Sequence, residues 1–416
     1  MAEQESSSPN INVPSAGGLS SGFSKIKIKT VVVVILVAAI ALGLYFLLGL
    51  GSNPKSIADQ AQREIDAGNY DKAEEILKQG LEKHNNDSTL LAKLVQAIAL
   101  EGNQKGQEEN ALKEAQPYID EALRVGGEDP NVLAPVGYAY ETASEYQKSF
   151  EFYDRVTQLD PKSGDAFFHR GHALEFLGKR QEAWKDYEKA YQLDPNNALV
   201  LMARGNMFFS QNKPQESYES FKKASEQPDV SNQTKAEALT GAALVRGSQE
   251  NFKYVKESLD LSKQAVDADP NFSPALAAYG YNLFLTSPNL KDGIPYVEKA
   301  IAANPRITKN YLLLAQMYRA IQDYVKAINN LKTAISLVGN DNTILSDSDK
   351  NVAKGTYTYE LAKTYYISGF LVNILPLLKD AVALNPSLKQ TLKSDLDNLN
   401  LFLTYKDNQE FLSLIK

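Results

Sequence analysis

Between Asp165 and Pro195 the apolar positions fall into two helical periods separated by a glycine. Phe167, Gly171 and Leu174 share one face of a first helix, and Ala183, Tyr187 and Ala190 one face of a second, by i, i+3/i+4 spacing. Gly178 breaks the pattern between them, and Pro195 cannot continue the helix before it. The spacing predicts a helix-turn-helix hairpin, with Gly171 removing a side chain where the two helices come closest.

The pattern recurs on both sides. Upstream, Leu133, Val136, Gly137, Tyr140, Tyr153, Val156 and Pro161 take the equivalent places, a period of about 34 residues. Downstream it returns at Leu201, Gly205, Phe208, Phe221, Ala224 and Pro228, then at Leu276, Gly280, Leu283, Ala300 and Pro305. Tyr311, Leu314, Ala315, Tyr318, Ala327, Leu331 and Ala334 repeat it, and Leu361, Ala362, Tyr365, Leu378, Ala381 and Pro386 close the series.

These residues resemble the tetratricopeptide repeat, whose signature sets an aromatic, Leu-Gly, Tyr, Ala, Phe and Pro at fixed offsets. The resemblance implies an all-α fold. It would be a tetratricopeptide-type α-solenoid, a right-handed superhelix of helical hairpins, with about nine units over residues 52–388. Weaker units open the array at Ile57, Ala61, Ala73 and Leu77, and at Leu90 to Gly127.

Three segments depart from the period. Gly102 to Asn110 is polar and reads as a loop between paired helices. The segment around Asn251 to Val255 lengthens its unit by about a helical turn. Gly339 to Gly355 separates the last full unit from its predecessor. Beyond Pro386, residues 389–416 read as capping helices: Leu392, Leu396, Leu399 and Leu403 form one amphipathic face. Asp407 and Glu410 are spaced like a capping box before Phe411 and Leu414.

At the other end, Val31 to Leu50 carry no charge, and at ~1.5 Å per residue a helix there spans about 30 Å, the thickness of a bilayer core. Residues 30–51 are therefore expected to be one transmembrane signal anchor. Lys25, Lys27 and Lys29 precede the run, whereas Gly51 to Pro54 carry no charge, so the positive-inside rule keeps the amino terminus in the cytoplasm. Residues 1–29, rich in Ser, Pro, Gly and Asn, read as a disordered cytoplasmic tail. The array then lies on the extracytoplasmic side, with a bacterial inner membrane as the expected setting. Two alternatives are a signal peptide cleaved at Gly49-Leu50-Gly51, and a cytosolic array favoured only by Lys55 and Arg63.

Charge and cysteine content narrow the chemistry. The net charge is −7, and the first 29 residues contribute +1, which leaves −8 on the rest. Such a surface repels phosphate backbones, so no nucleic-acid partner is expected. Cysteine is absent, which excludes disulfides, cysteine nucleophiles and cysteine-ligated metals. No phosphate-binding glycine loop, nucleophile elbow or HExxH motif occurs, and the array consumes the length a catalytic domain would need. No enzyme activity, cofactor or small-molecule substrate is expected.

Two constellations could hold a metal. Asp165, His169 and His172 share one helical face, but a site needs three or four convergent ligands and a supporting shell. Asp347, Asp349 and Asn351 imitate the start of a calcium loop, but Val352 stands where the turn needs Gly and Thr358 where it needs Glu. Both read as ordinary groove and helix-cap residues, and no metal is expected. Arg170 and Arg204, where the repeat more often has Leu, read as packing residues whose guanidinium reaches solvent.

In the repeat family the first helices of successive units line a concave groove that binds a peptide or a partner helix. By that resemblance the protein-binding groove here comprises Tyr138, Phe168, His172, Met202, Asn206, Phe209, Tyr281, Phe284, Arg319, Tyr359 and Tyr366. It is aromatic and sparsely charged, which suits apolar segments, and part of it is expected to pack between neighbouring units. The Lys, Asn and Arg clamp of some cochaperones is missing: Phe168, His172, Ala203 and Lys235 stand in its places. The expected function is a membrane-anchored scaffold for protein interactions in envelope assembly or secretion. The alternatives are a chaperone-like holdase and a cytosol-facing receptor or assembly factor.

Overall fold

The computed structural model describes residues 53–416 apart from 229, 250–252, 342, 345 and 371–372. The tail and the transmembrane span expected within residues 1–51 lie outside them. Every regular element among the described residues is a helix. None of these helices is long and apolar enough to cross a membrane. The chain divides into two compact units, one ending at Ala143 and one running from Ser144 to Lys416.

The first unit holds α1 (Pro54–Asp66), α2 (Tyr70–Lys83), α3 (Ser88–Lys105), α4 (Glu108–Gly126) and α5 (Pro130–Thr142). Side-chain caps start three of them: Asn53 accepts from the Ser56 amide, Asp87 from that of Leu90 and Asp129 from that of Asn131. The repeat positions Ile57, Ala61, Ala73 and Leu77 are buried. The polar stretch from Gly102 to Asn110 is not the expected loop. Helix α3 continues through Lys105, and only Gly106 and Gln107 separate it from α4. The two helices nearly touch at Gly102, where a Cβ would stand 2.2 Å from that of Ala111. Gly106 then reverses the chain at φ 64°. The polar side chains are the outer face of a helix end, where Lys105 pairs with Glu101 and, at 3.2 Å, with Asp71.

The second unit opens with α6 (Tyr146–Leu159), followed by the hairpin of α7 (Gly164–Phe176) and α8 (Arg180–Leu193). Gly171, Leu174, Ala183, Tyr187 and Ala190 are buried, as the spacing predicted. A Cβ at Gly171 would lie 3.0 Å from the Tyr187 ring, so the glycine is a packing requirement. Ser163 caps α7 by accepting from the Ala166 amide at 3.2 Å, and Gly178 turns the chain at φ 78°. The next hairpins are α9 (Ala198–Ser210) with α10 (Pro214–Ser225), and α11 (Asn232–Ser248) with α12 (Val255–Ala268). Then come α13 (Ser273–Thr286) with α14 (Ile294–Ala303), and α15 (Thr308–Ala320) with α16 (Tyr324–Leu337). The added length around Asn251 to Val255 resides partly in α11 itself, which has 17 residues against 13 in α9.

The interruption from Gly339 to Gly355 contains a 3-10 turn at Val338–Asn340 and the start of α17 (Asp347–Ser368), a helix of 22 residues. Helix α18 (Leu375–Leu384) pairs with α17, and α19 (Leu388–Leu399) and α20 (Gln409–Leu414) close the chain. The cap differs in detail from the expected amphipathic face. Leu392 is buried, but α19 ends at Leu399, which is exposed like Leu403. Phe402 and Phe411 fill the core instead, against Tyr359, Leu375 and Leu378. Asn400 and Phe402 both take positive φ, and that bend swings the aromatic ring inward. Helix α20 is capped by Asn408, whose side chain accepts from the Phe411 amide at 3.0 Å, and not by Asp407.

Candidate protein-binding groove

The candidate positions come mostly from the first helix of each hairpin, and burial sorts them into three groups. Asn206 and Phe209 on α9 are exposed, with half of the Phe209 surface (50%) open to solvent. Phe209 borders a cleft of about 490 Å³ with Asn212, Pro214, Gln215 and Tyr254.

A second group is half-buried. Phe168 packs on the cluster of Leu174, Ala183, Tyr187 and Met207, and its ring lies 6.2 Å from that of His172. His172 in turn lies 4.7 Å from Phe176. Met202 packs on two buried clusters, one holding Phe221 and Leu239 and one holding Leu201 and Ala224, Phe284 packs on the core around Val297 and Leu314, and Tyr366 lies 5.0 Å from Phe402. Tyr281 is half-buried on α13. In the first unit, Tyr138 is half-buried; its burial above all, with Glu141 and Tyr70 nearby, pushes its hydroxyl up to about 12.

The third group is committed to internal contacts. Arg319 donates to Glu360 at 2.6 Å and to Thr364 at 3.2 Å, which ties α15 to α17. Tyr359 does not line an open surface: it is 2% exposed and its hydroxyl donates to Asp395 of α19. Its burial, and then the Asp395 carboxylate, push that hydroxyl up. The capping helix covers the place that would be groove in an earlier unit, and Lys363 adds a 2.8 Å ion pair to the same carboxylate.

The metal-like constellations resolve into packing and caps. His169 stacks on Tyr153 at 4.8 Å, and Asp165 accepts from Asn197 at 3.2 Å. No group of metal-binding side chains forms among the described residues. Ser346 accepts from the Asp349 amide and donates to its carboxylate, a helix start. Arg170 bridges three helices: it donates twice to Asp186 at 2.7 Å and once to Asp154 at 2.8 Å. Arg204 repeats the backward link through Glu188 at 2.9 Å, with its guanidinium 3.7 Å from the Tyr191 ring centre.

Sequence reasoning missed Leu199, which is 42% exposed on α9. It stands one period of about 34 residues after Asp165, and that register could have found it.

Residues 164–197 match the family model of the tetratricopeptide repeat. The hairpin of α7 and α8 is thus similar to a tetratricopeptide repeat. Among solved structures, the chain is similar to one in the APC/C hetero-tetramer Cut9-Hcn1, at a TM-score of 0.54 and 13% identity. That match covers 74% of this chain and 56% of the other, and the likeness is one of fold. The chain is also similar to pilF of Pseudomonas aeruginosa, at a TM-score of 0.43 and 16% identity over 50% of this chain and 91% of that one. PilW, a widely conserved type IV pilus biogenesis factor, matches at 0.41 and 19% identity over 55% and 97%. No curated protein matches by sequence.

Proposed function

We propose that the chain is a membrane-anchored scaffold that holds other proteins through the first helices of its repeats. The observation that carries this reading is the exposure of Phe209 and Leu199 on α9, and of Leu285 on α13, beside repeat positions whose own core is already filled. An exposed aromatic supplies a large contact area at low entropic cost.

The location is part of the same proposal and is supported by sequence. The uncharged run from Val31 to Leu50, preceded by three lysines, anchors the chain with its repeats on the extracytoplasmic side of a bacterial inner membrane. Anchoring turns a modest affinity into a high local concentration beside envelope assembly or secretion machinery.

A photo-reactive amino acid placed at Phe209 in the full chain, in intact cells, tests the scaffold. Discrete adducts are expected there and not from the same group at the exposed Lys189 of α8. Equal adducts at both sites would overturn the reading, and a diffuse ladder from position 209 would favour a holdase. For topology, a membrane-impermeant thiol reagent should label Lys162→Cys and spare Ser20→Cys. The reverse pattern would place the repeats in the cytosol.

A further inference from the structure

The second unit contains a cleft of about 630 Å³ that none of the candidate groove positions lines. We propose that this cleft binds an extended segment of a partner protein in which a carboxylate stands beside aliphatic side chains. The inference rests on the scaffold reading and names the chemistry of its partner.

Helix α17 builds the site. It begins about two turns before the place where the repeat pattern needs it, and this extension lines one cleft together with α15. Leu312 of α15 and Val352 of the extension give the cleft an apolar lining, and Val352 is 41% exposed. The volume lies within the range of roughly 300–1,000 Å³ that ligand pockets occupy.

Charge selects the occupant. Arg180, from the start of α8, and Lys309, from the first turn of α15, line the same cleft although more than three hairpins separate them in sequence. Both are exposed, and neither forms an ion pair among the described residues. The acid in the lining, Asp349, already accepts from the Ser346 hydroxyl at 2.8 Å as part of the helix cap. In a chain of net charge −7, two uncommitted cations over an apolar floor are complementary to a carboxylate with aliphatic neighbours. Gln316 adds an exposed amide on the same wall, with both a donor and an acceptor, which is what an extended main chain offers in return.

The test is selection of random peptides displayed on phage against the purified full-length chain, then fluorescence anisotropy of the labelled winners. Selected peptides should carry Asp or Glu beside Leu, Ile or Val. Their affinity should fall about tenfold or more in the Arg180→Glu, Lys309→Glu double variant, and should weaken with salt. Val352→Asp should weaken them similarly. Because both cations are exposed and unpaired, circular dichroism should show an unchanged fold in the double variant. Winners without an acidic residue, or winners indifferent to the double variant, would overturn the proposal. So would failure to select any peptide. The scaffold reading is judged separately, by cross-linking at Phe209.

Discussion

Asp341 caps the helix that begins at Thr308, although 33 positions separate the two residues. Its Oδ2 accepts the Thr308 amide at 2.7 Å and the Thr308 hydroxyl at 2.6 Å. Its Oδ1 accepts the amide of Thr343 at 2.9 Å and its hydroxyl at 2.6 Å. The segment that interrupts the repeat thus supplies the cap that α15 lacks locally, since Ile307 offers no side-chain acceptor.

Burial pushes the Asp341 carboxyl up, but the hydrogen bonds from Thr308 and Thr343 outweigh it and hold the group below its usual range. A depressed folded value means that its contribution is complete above the unfolded value of about 3.9, and is lost as pH falls through the folded one. Urea unfolding should therefore show an acid-dependent loss of stability that is smaller in Asp341→Asn. At neutral pH, Asp341→Ala should cost about 2–3 kcal/mol, because buried donors lose a charged acceptor. An identical acid profile for Asp341→Asn and the unsubstituted chain would refute this account.

Removing Arg170 leaves Asp186, which is buried, without its cation. Arg170→Ala should destabilise the chain by about 3 kcal/mol, and Arg170→Lys by less, since a point charge cannot reproduce the paired bonds to Asp186. Arg204→Ala should cost less than about 1.5 kcal/mol, because Glu188, unlike Asp186, is only half-buried and keeps part of its hydration. Denaturant titration of the three variants gives the order directly, and a larger loss for Arg204→Ala would contradict it.

Gly102 tests the close approach of α3 and α4. In an ordinary helix Gly→Ala gains up to about 1 kcal/mol, but here overpacking against Ala111 should reverse the sign and cost about 1–3 kcal/mol. The Gly102→Ala, Ala111→Gly double variant should recover most of the loss. Thermal unfolding reads both, and a stabilised Gly102→Ala would mean that the helices separate without cost.

The periodic part of the fold was legible because each hairpin solves the same local problem. Residues such as Gly171 and Tyr187 must meet wherever two amphipathic helices are joined by a short turn, so their spacing carries the information. The loop expected at Gly102 failed for a related reason. Polarity marks solvent exposure, and an exposed helix end is as polar as a loop. Tyr359 stands at a groove position of its unit, yet the capping helix sits over it, a fact about neighbours that its own repeat does not encode.

The sequence by itself determined the helical hairpins, their register and the residues that fill the space between paired helices, because those follow from local periodicity and the loss of side chains at glycines. Only the tertiary structure decided which groove positions stay open. It also put Arg180 beside Lys309, and let Asp341 cap a helix one hairpin earlier. These relationships join distant segments, and they depend on how successive hairpins stack, an accumulated rotation that no single repeat specifies.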